Sequence, residues 1–143
     1  MTQDKFRVLH STLIEHYQFI ENHLAEMSAF LSGKRFYEGL VDVERYNISR
    51  LIKIIQSQET SLKKRVIADE TYEELEKLCQ RRNFWVHDCY YNMAFDRKTG
   101  GPKKEYNIRQ LYQDIQDAEI MRDFLFNRKM ELSQAIRQGD LYF

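Results

Sequence analysis

A single proline and five glycines leave 143 residues with few places to turn, while Leu, Ile, Glu, Lys, Arg and Gln are plentiful. That balance disfavours sheets joined by tight turns and favours helices. Excess charge is missing too, since 22 Lys plus Arg meet 22 Asp plus Glu and the net charge is zero with His neutral. A histone-like partner of bulk nucleic acid is thereby disfavoured. Long apolar runs are absent: stretches such as Ala29, Phe30 and Leu31 fall far short of the roughly 20 residues needed to cross a bilayer. No membrane span is expected, and the first residues lack the basic patch, apolar stretch and small-residue cleavage site of a secretory signal. The expectation is a cytoplasmic protein. Cysteine is scarce, with Cys79 and Cys89 ten positions apart, outside the short spacings of zinc motifs, so both read as small, reduced, buried residues.

With 43% hydrophobic residues the chain can build one packed core but not two, so residues 1–143 are expected to form a single domain. Phe6, Leu9, Leu13, Ile20, Leu24, Met27 and Leu31 recur at steps of three, four or seven. They mark one face of a helix from Thr2 to Ser32, ended by Gly33. Phe36, Leu40, Val43, Ile48, Leu51, Ile54 and Ile55 predict a second helix to Gln58, its pattern blurred near Asn47. Residues 60–69 read as a loop or a short helix. Thr71 followed by Glu74 has the form of a capping box and predicts a third helix from Thr71 to Phe95. Residues 96–105, with the only proline and two glycines, form a locally basic loop. Asn107 with Gln110 predicts the start of a last helix through Leu111, Ile115, Ala118, Leu125, Leu132 and Ile136 to Gly139. The fold class is all-α, an up-and-down four-helix bundle with room for a fifth, short helix.

Much of the chemistry common in helical bundles is missing. None of His10, His16, His23 and His87 has an Asp or Glu three or four residues before it, so a ferritin-like carboxylate metal site is not expected. Neither a glycine-rich phosphate loop nor a serine nucleophile elbow occurs. His16 and His23, seven apart, share a face of the first helix. They read as half-buried histidines rather than as a joint ligand site.

The informative stretch is Arg81 to Tyr91, RRNFWVHDCYY. On an α-helical wheel Leu75, Leu78, Cys79, Val86, Cys89 and Met93 form one apolar stripe with Arg82 in its middle, while Arg81 points outward to solvent. A guanidinium in a core stripe costs several kcal/mol unless it is paired or reaches an open site. Glu76, Gln80, Asn83 and His87 continue into Tyr90 or Tyr91 as a polar and aromatic ridge, either a solvent face or a site. Arg82 and His87 lie about 140° apart on an ideal α-helix. They serve one reaction centre only if the arginine reaches across, the helix kinks, or a second chain completes the site.

Arg82, Asn83 and His87, an arginine followed by a polar residue and, after four intervening positions, a histidine, resemble the signature of the HEPN superfamily (higher eukaryotes and prokaryotes nucleotide-binding domain). Arg81 to His87 also fits that spacing with five between, but the asparagine directly after Arg82 favours Arg82. The helical bundle with the motif late in the chain is similar to HEPN domains over essentially the whole length. One branch, the toxins paired with minimal nucleotidyltransferases, has a tyrosine two residues after the histidine; here that position is Cys89, and the tyrosines are Tyr90 and Tyr91.

The resemblance implies a metal-independent endoribonuclease acting at a homodimer interface, a toxin or defence nuclease that uses no cofactor and answers to a cognate antitoxin or regulatory protein. The residue chemistry suits it. RNA cleaves itself once its 2′-hydroxyl is deprotonated and attacks the adjacent phosphate, so a protein need supply only proton transfer and charge stabilisation. His87 would move the proton, Arg82 would clamp the phosphate and its extra negative charge, and Asn83 would orient either. Tyr90, Tyr91, Phe84 and Trp85 have the chemistry to stack bases, although Trp85 borders the apolar stripe and reads more readily as core. Arg97, Lys98, Lys103 and Lys104 would guide the phosphate backbone. Two alternatives stand beside the nuclease: a non-catalytic helical module that binds a partner protein, and an inactive domain that binds nucleotide or RNA. An Arg82 closed into an ion pair within one core would favour the module.

Overall fold

A computed structural model describes residues 2–89 and 105–139. They form an all-α bundle of five helices: α1 (Gln3–Leu31), α2 (Phe36–Val43), α3 (Ile48–Glu59), α4 (Asp69–Asn83, continued by a π-helical turn over Phe84–Asp88) and α5 (Glu105–Arg137). No helix among the described residues is long and apolar enough to cross a membrane. α1 is the central post. Its stripe of Phe6, Leu13, Ile20, Leu24 and Met27 is buried, together with Tyr17, and it packs against α2, α3 and α5. Thr2 caps its first turn by accepting from the Lys5 amide at 3.1 Å. Gly33, with φ +73°, turns the chain at its end.

The predicted second helix is two. The chain leaves α2 at Glu44, and Asn47 starts α3 by accepting from the Arg50 amide at 3.0 Å. The blur at Asn47 is therefore an N-cap, and the break supplies the fifth helix. α2 lies close against the end of α1, with Phe36 on Phe30 at 4.7 Å between ring centroids and Gly39 buried.

Residues 60–68 are a loop held from both sides. Glu59, buried at the end of α3, accepts from the amides of Val66 (2.8 Å) and Ile67 (2.7 Å) and from the Tyr72 hydroxyl (2.7 Å). Arg128 of α5 donates to the Val66 and Arg65 carbonyls. This anchorage moves the start of α4 to Asp69 with Ala68 at the cap, so the capping box expected at Thr71 and Glu74 does not form. Likewise α5 is already helical at Glu105, ahead of the start expected at Asn107, and Gln110 donates along its own helix to Asp114 at 2.8 Å. The end of the predicted third helix and the basic loop over 96–104 lie outside the described residues.

α1 and α5 run in the same direction, as two cross-links of identical spacing show. Arg122 lies 3.2 Å from His16 Nδ1, and Lys129 lies 3.1 Å from His23 Nδ1. Arg122 also sits over the Phe19 ring at 3.7 Å. His16 and His23 are thus each engaged separately by a cation of α5. α4 runs opposite to both, since Glu21 of α1 meets Arg82 while the earlier His10 meets Trp85.

Candidate functional site

The site predicted from sequence falls where α4 changes its winding. Leu75 and Leu78 are buried as the wheel requires. Beyond Asn83 the hydrogen-bond ladder shifts to i→i+5 over Phe84–Asp88, which inserts one residue into the turn. Trp85 is fully buried at 0% exposure and Cys89 is buried as expected, whereas Val86, expected inside, is 40% exposed. The core reading of Trp85 is correct, and the inward placement of Val86 is not.

The same turn changes the relation between Arg82 and His87. Steps of about 100° put them about 140° apart. A π turn of about 4.4 residues advances roughly 80° per residue, which reduces the difference to roughly 60°. The two side chains leave neighbouring sides of one helix. His87 and Asn83 are exposed, and so are Glu76 and Gln80 behind them, so the polar ridge faces solvent. Arg82 is half-buried. Its Nε is 2.8 Å from Glu21 Oε1 of α1, with each side chain about one-fifth exposed (21% and 20%), and its Nη1 is 3.4 Å from Asn83 Oδ1. Burial raises the Glu21 carboxyl above its ordinary pKa, and the Arg82 charge opposes that rise.

Arg81 is not the solvated arginine expected from the wheel. Its Nε bonds Asp114 Oδ2 of α5 at 2.8 Å, and its guanidinium sits 5.0 Å from the centre of the Phe84 ring. Asp114, only 2% exposed, also accepts from the Trp85 indole N–H and from Gln110 at 2.8 Å. A buried carboxylate with three donors is fully satisfied. Tyr17 of α1 lies near it: burial first, and then the Asp114 charge, raise its phenol above the ordinary value. A groove of about 360 Å³ between α4 and α5 is bordered by Glu74, Lys77, Arg81, Asp114 and Asp117. Arg82 and His87 do not line it.

Three residues of this assembly escaped the sequence reading: His10, whose Nε2 is 2.8 Å from the Trp85 carbonyl oxygen, Glu21 and Asp114. Asp114 had a visible signal. It interrupts the apolar phase of Leu111, Ala118, Met121 and Leu125, and an acid at a core position requires donors from a neighbouring helix. Among the described residues no group of three or more His, Cys, Asp or Glu is arranged to hold a metal ion. Tyr90, Tyr91, Arg97, Lys98, Lys103 and Lys104, expected to contact substrate, lie outside the described residues. In comparisons with protein-family models, curated proteins and solved structures, the chain matches none of them.

Proposed function

We propose that this chain is a metal-independent endoribonuclease of the HEPN type, a cytoplasmic toxin or defence nuclease working as a homodimer. The observation that carries the reading is the π turn between Arg82 and His87. It takes the two residues of the RNFWVH stretch out of the α-helical relation that would keep them on different faces. An exposed His87 is free to exchange protons with solvent and substrate, and imidazole is the side chain suited to that work near neutral pH. Arg82, fixed through Nε to Glu21 and through Nη1 to Asn83, turns its remaining guanidinium hydrogens to phosphate oxygens and to the charge of the phosphorane. Asn83, exposed between them, orients either group. Attack of the 2′-hydroxyl on the adjacent phosphate then expels the 5′-oxygen and leaves a 2′,3′-cyclic phosphate.

A second reading has its own support. The Glu21–Arg82 ion pair lies within one chain and is largely screened from solvent, as expected of a helical module that binds a partner and performs no chemistry. Incubation with mixed RNA in EDTA separates the two. Wild type should yield fragments with cyclic phosphate ends, His87→Ala should cleave at least about a hundredfold more slowly, and both should unfold at similar temperatures. Arg82→Lys is the cleaner partner variant. It keeps a charge beside Glu21 but loses the planar fork, whereas alanine would leave a half-buried carboxylate unpaired. Folded wild type that leaves RNA intact would reject the nuclease in favour of the module.

A further inference from the structure

The π turn demands a cause, because a widened i→i+5 ladder is intrinsically poor and persists only where its surroundings hold it. Trp85 is held at both ends. Its indole N–H donates to Asp114 of α5, a carboxylate already fixed by Arg81 and Gln110. Its backbone carbonyl is met by His10 Nε2 of α1 at 2.8 Å. Its ring lies against Phe84 (4.9 Å between centroids), His10 (6.2 Å) and Phe6 (6.4 Å). Cys89, one turn on and 2% exposed, places its sulfur 3.6 Å from the same His10 nitrogen. Three helices therefore converge on one residue, midway between Arg82 and His87. Trp85 and Cys89 are buried, and Val86 beside the tryptophan is 40% exposed.

We propose that Trp85 is a positioning residue for the reaction: clamped between Asp114 and His10, it locks the π turn and so sets the direction of His87 relative to Arg82. This rests on the nuclease reading, since a positioning role requires a reaction to position for. The lock itself is independent of that reading. Its energetic source is the burial of an indole whose single polar atom must find an acceptor, and that acceptor is Asp114 of the neighbouring helix α5.

Trp85→Phe keeps an aromatic ring and removes the N–H; His10→Phe keeps the stacked ring and removes the nitrogen. In both full-length variants, backbone amides of residues 84–89 should exchange with deuterium at least about tenfold faster than in wild type, while the core amides of α1 and α5 keep their rates. RNA cleavage, measured at a temperature where each variant is folded, should show kcat reduced by about tenfold or more with KM nearly unchanged. Glu59→Gln, a remote change in the loop clamp, should leave kcat as it is. Unchanged exchange at 84–89 in both variants overturns the lock. Faster exchange with unaltered kcat overturns the positioning role. An inert wild type rejects the nuclease reading and the positioning role with it, while faster exchange at 84–89 would still establish the lock.

Discussion

Glu59 and His23 are buried polar groups that depend on their partners in opposite ways. Glu59 gathers three donors, two of them backbone amides of the following loop, so truncation leaves buried N–H groups without acceptors. Glu59→Ala should cost about 3 kcal/mol in urea unfolding, and Glu59→Gln about 1 kcal/mol, because the amide oxygen keeps the backbone bonds while its NH₂ donates to Tyr72. Equal losses for the two would show that the carboxylate charge is essential. His23 is a buried acceptor for Lys129, whose ammonium also pairs with Glu26 at 2.7 Å. Burial, then the Lys129 charge, pushes its pKa down to about 4. The unfolded chain, with His near 6.5, binds the extra proton more readily. Its contribution is thus complete above about pH 6.5 and is lost as pH falls toward about 4, by up to about 3 kcal/mol. His23→Gln, which still accepts from Lys129, should flatten unfolding free energy against pH across that window. A variant with the wild-type slope would exclude His23 as the source.

At the scale of elements, hydrophobic period predicted α1 almost to the residue, because a long amphipathic stripe closed by a glycine has few other solutions. The same period carried on through the α2–α3 break, since residues on both sides face one core and preserve the phase. Only Asn47 betrayed the cap. The packing that makes α2 a separate element is close. A Cβ on Gly39 would meet Ser32 Oγ at 2.5 Å and the Ala29 carbonyl at 3.1 Å, and that hydroxyl is already bonded to Ala29 O at 2.8 Å. Gly39→Ala should therefore destabilise by about 1–2 kcal/mol in place of the gain of about 1 kcal/mol that helix propensity alone would bring. Thermal unfolding measures it, and Ser32→Ala in the same chain should recover part of the loss. A stabilised Gly39→Ala would mean that α2 shifts freely on α1.

For the whole molecule, zero net charge places no electrostatic barrier between copies, and α5 leaves Tyr112, Ile120, Phe124, Phe126 and Met130 exposed. If the chain works as a homodimer, light scattering at tens of micromolar should give twice the 17.4 kDa chain mass, as a symmetric pair joined through exposed apolar residues requires. Ile120→Glu combined with Phe124→Glu should return it to the single-chain mass. A wild type that stays at 17.4 kDa would confine any site to one chain.

The sequence by itself determined the helical class, the core stripe of α1 and the candidate triad of Arg82, Asn83 and His87, because composition and local period depend on neighbours three and four residues away. Which arginine pairs with which acid, whether Trp85 or Val86 turns inward, and how far His87 lies around the helix from Arg82 were decided in the tertiary structure. Arg81 joins Asp114 from 33 residues away, and Arg82 joins Glu21 from 61. No local pattern encodes such partners. The π turn lies where α1 and α5 present His10 and Asp114 to the same tryptophan; the wheel placed Trp85, His87 and Cys89 correctly and missed Val86, because the helices that surround a residue are not written in its near neighbours.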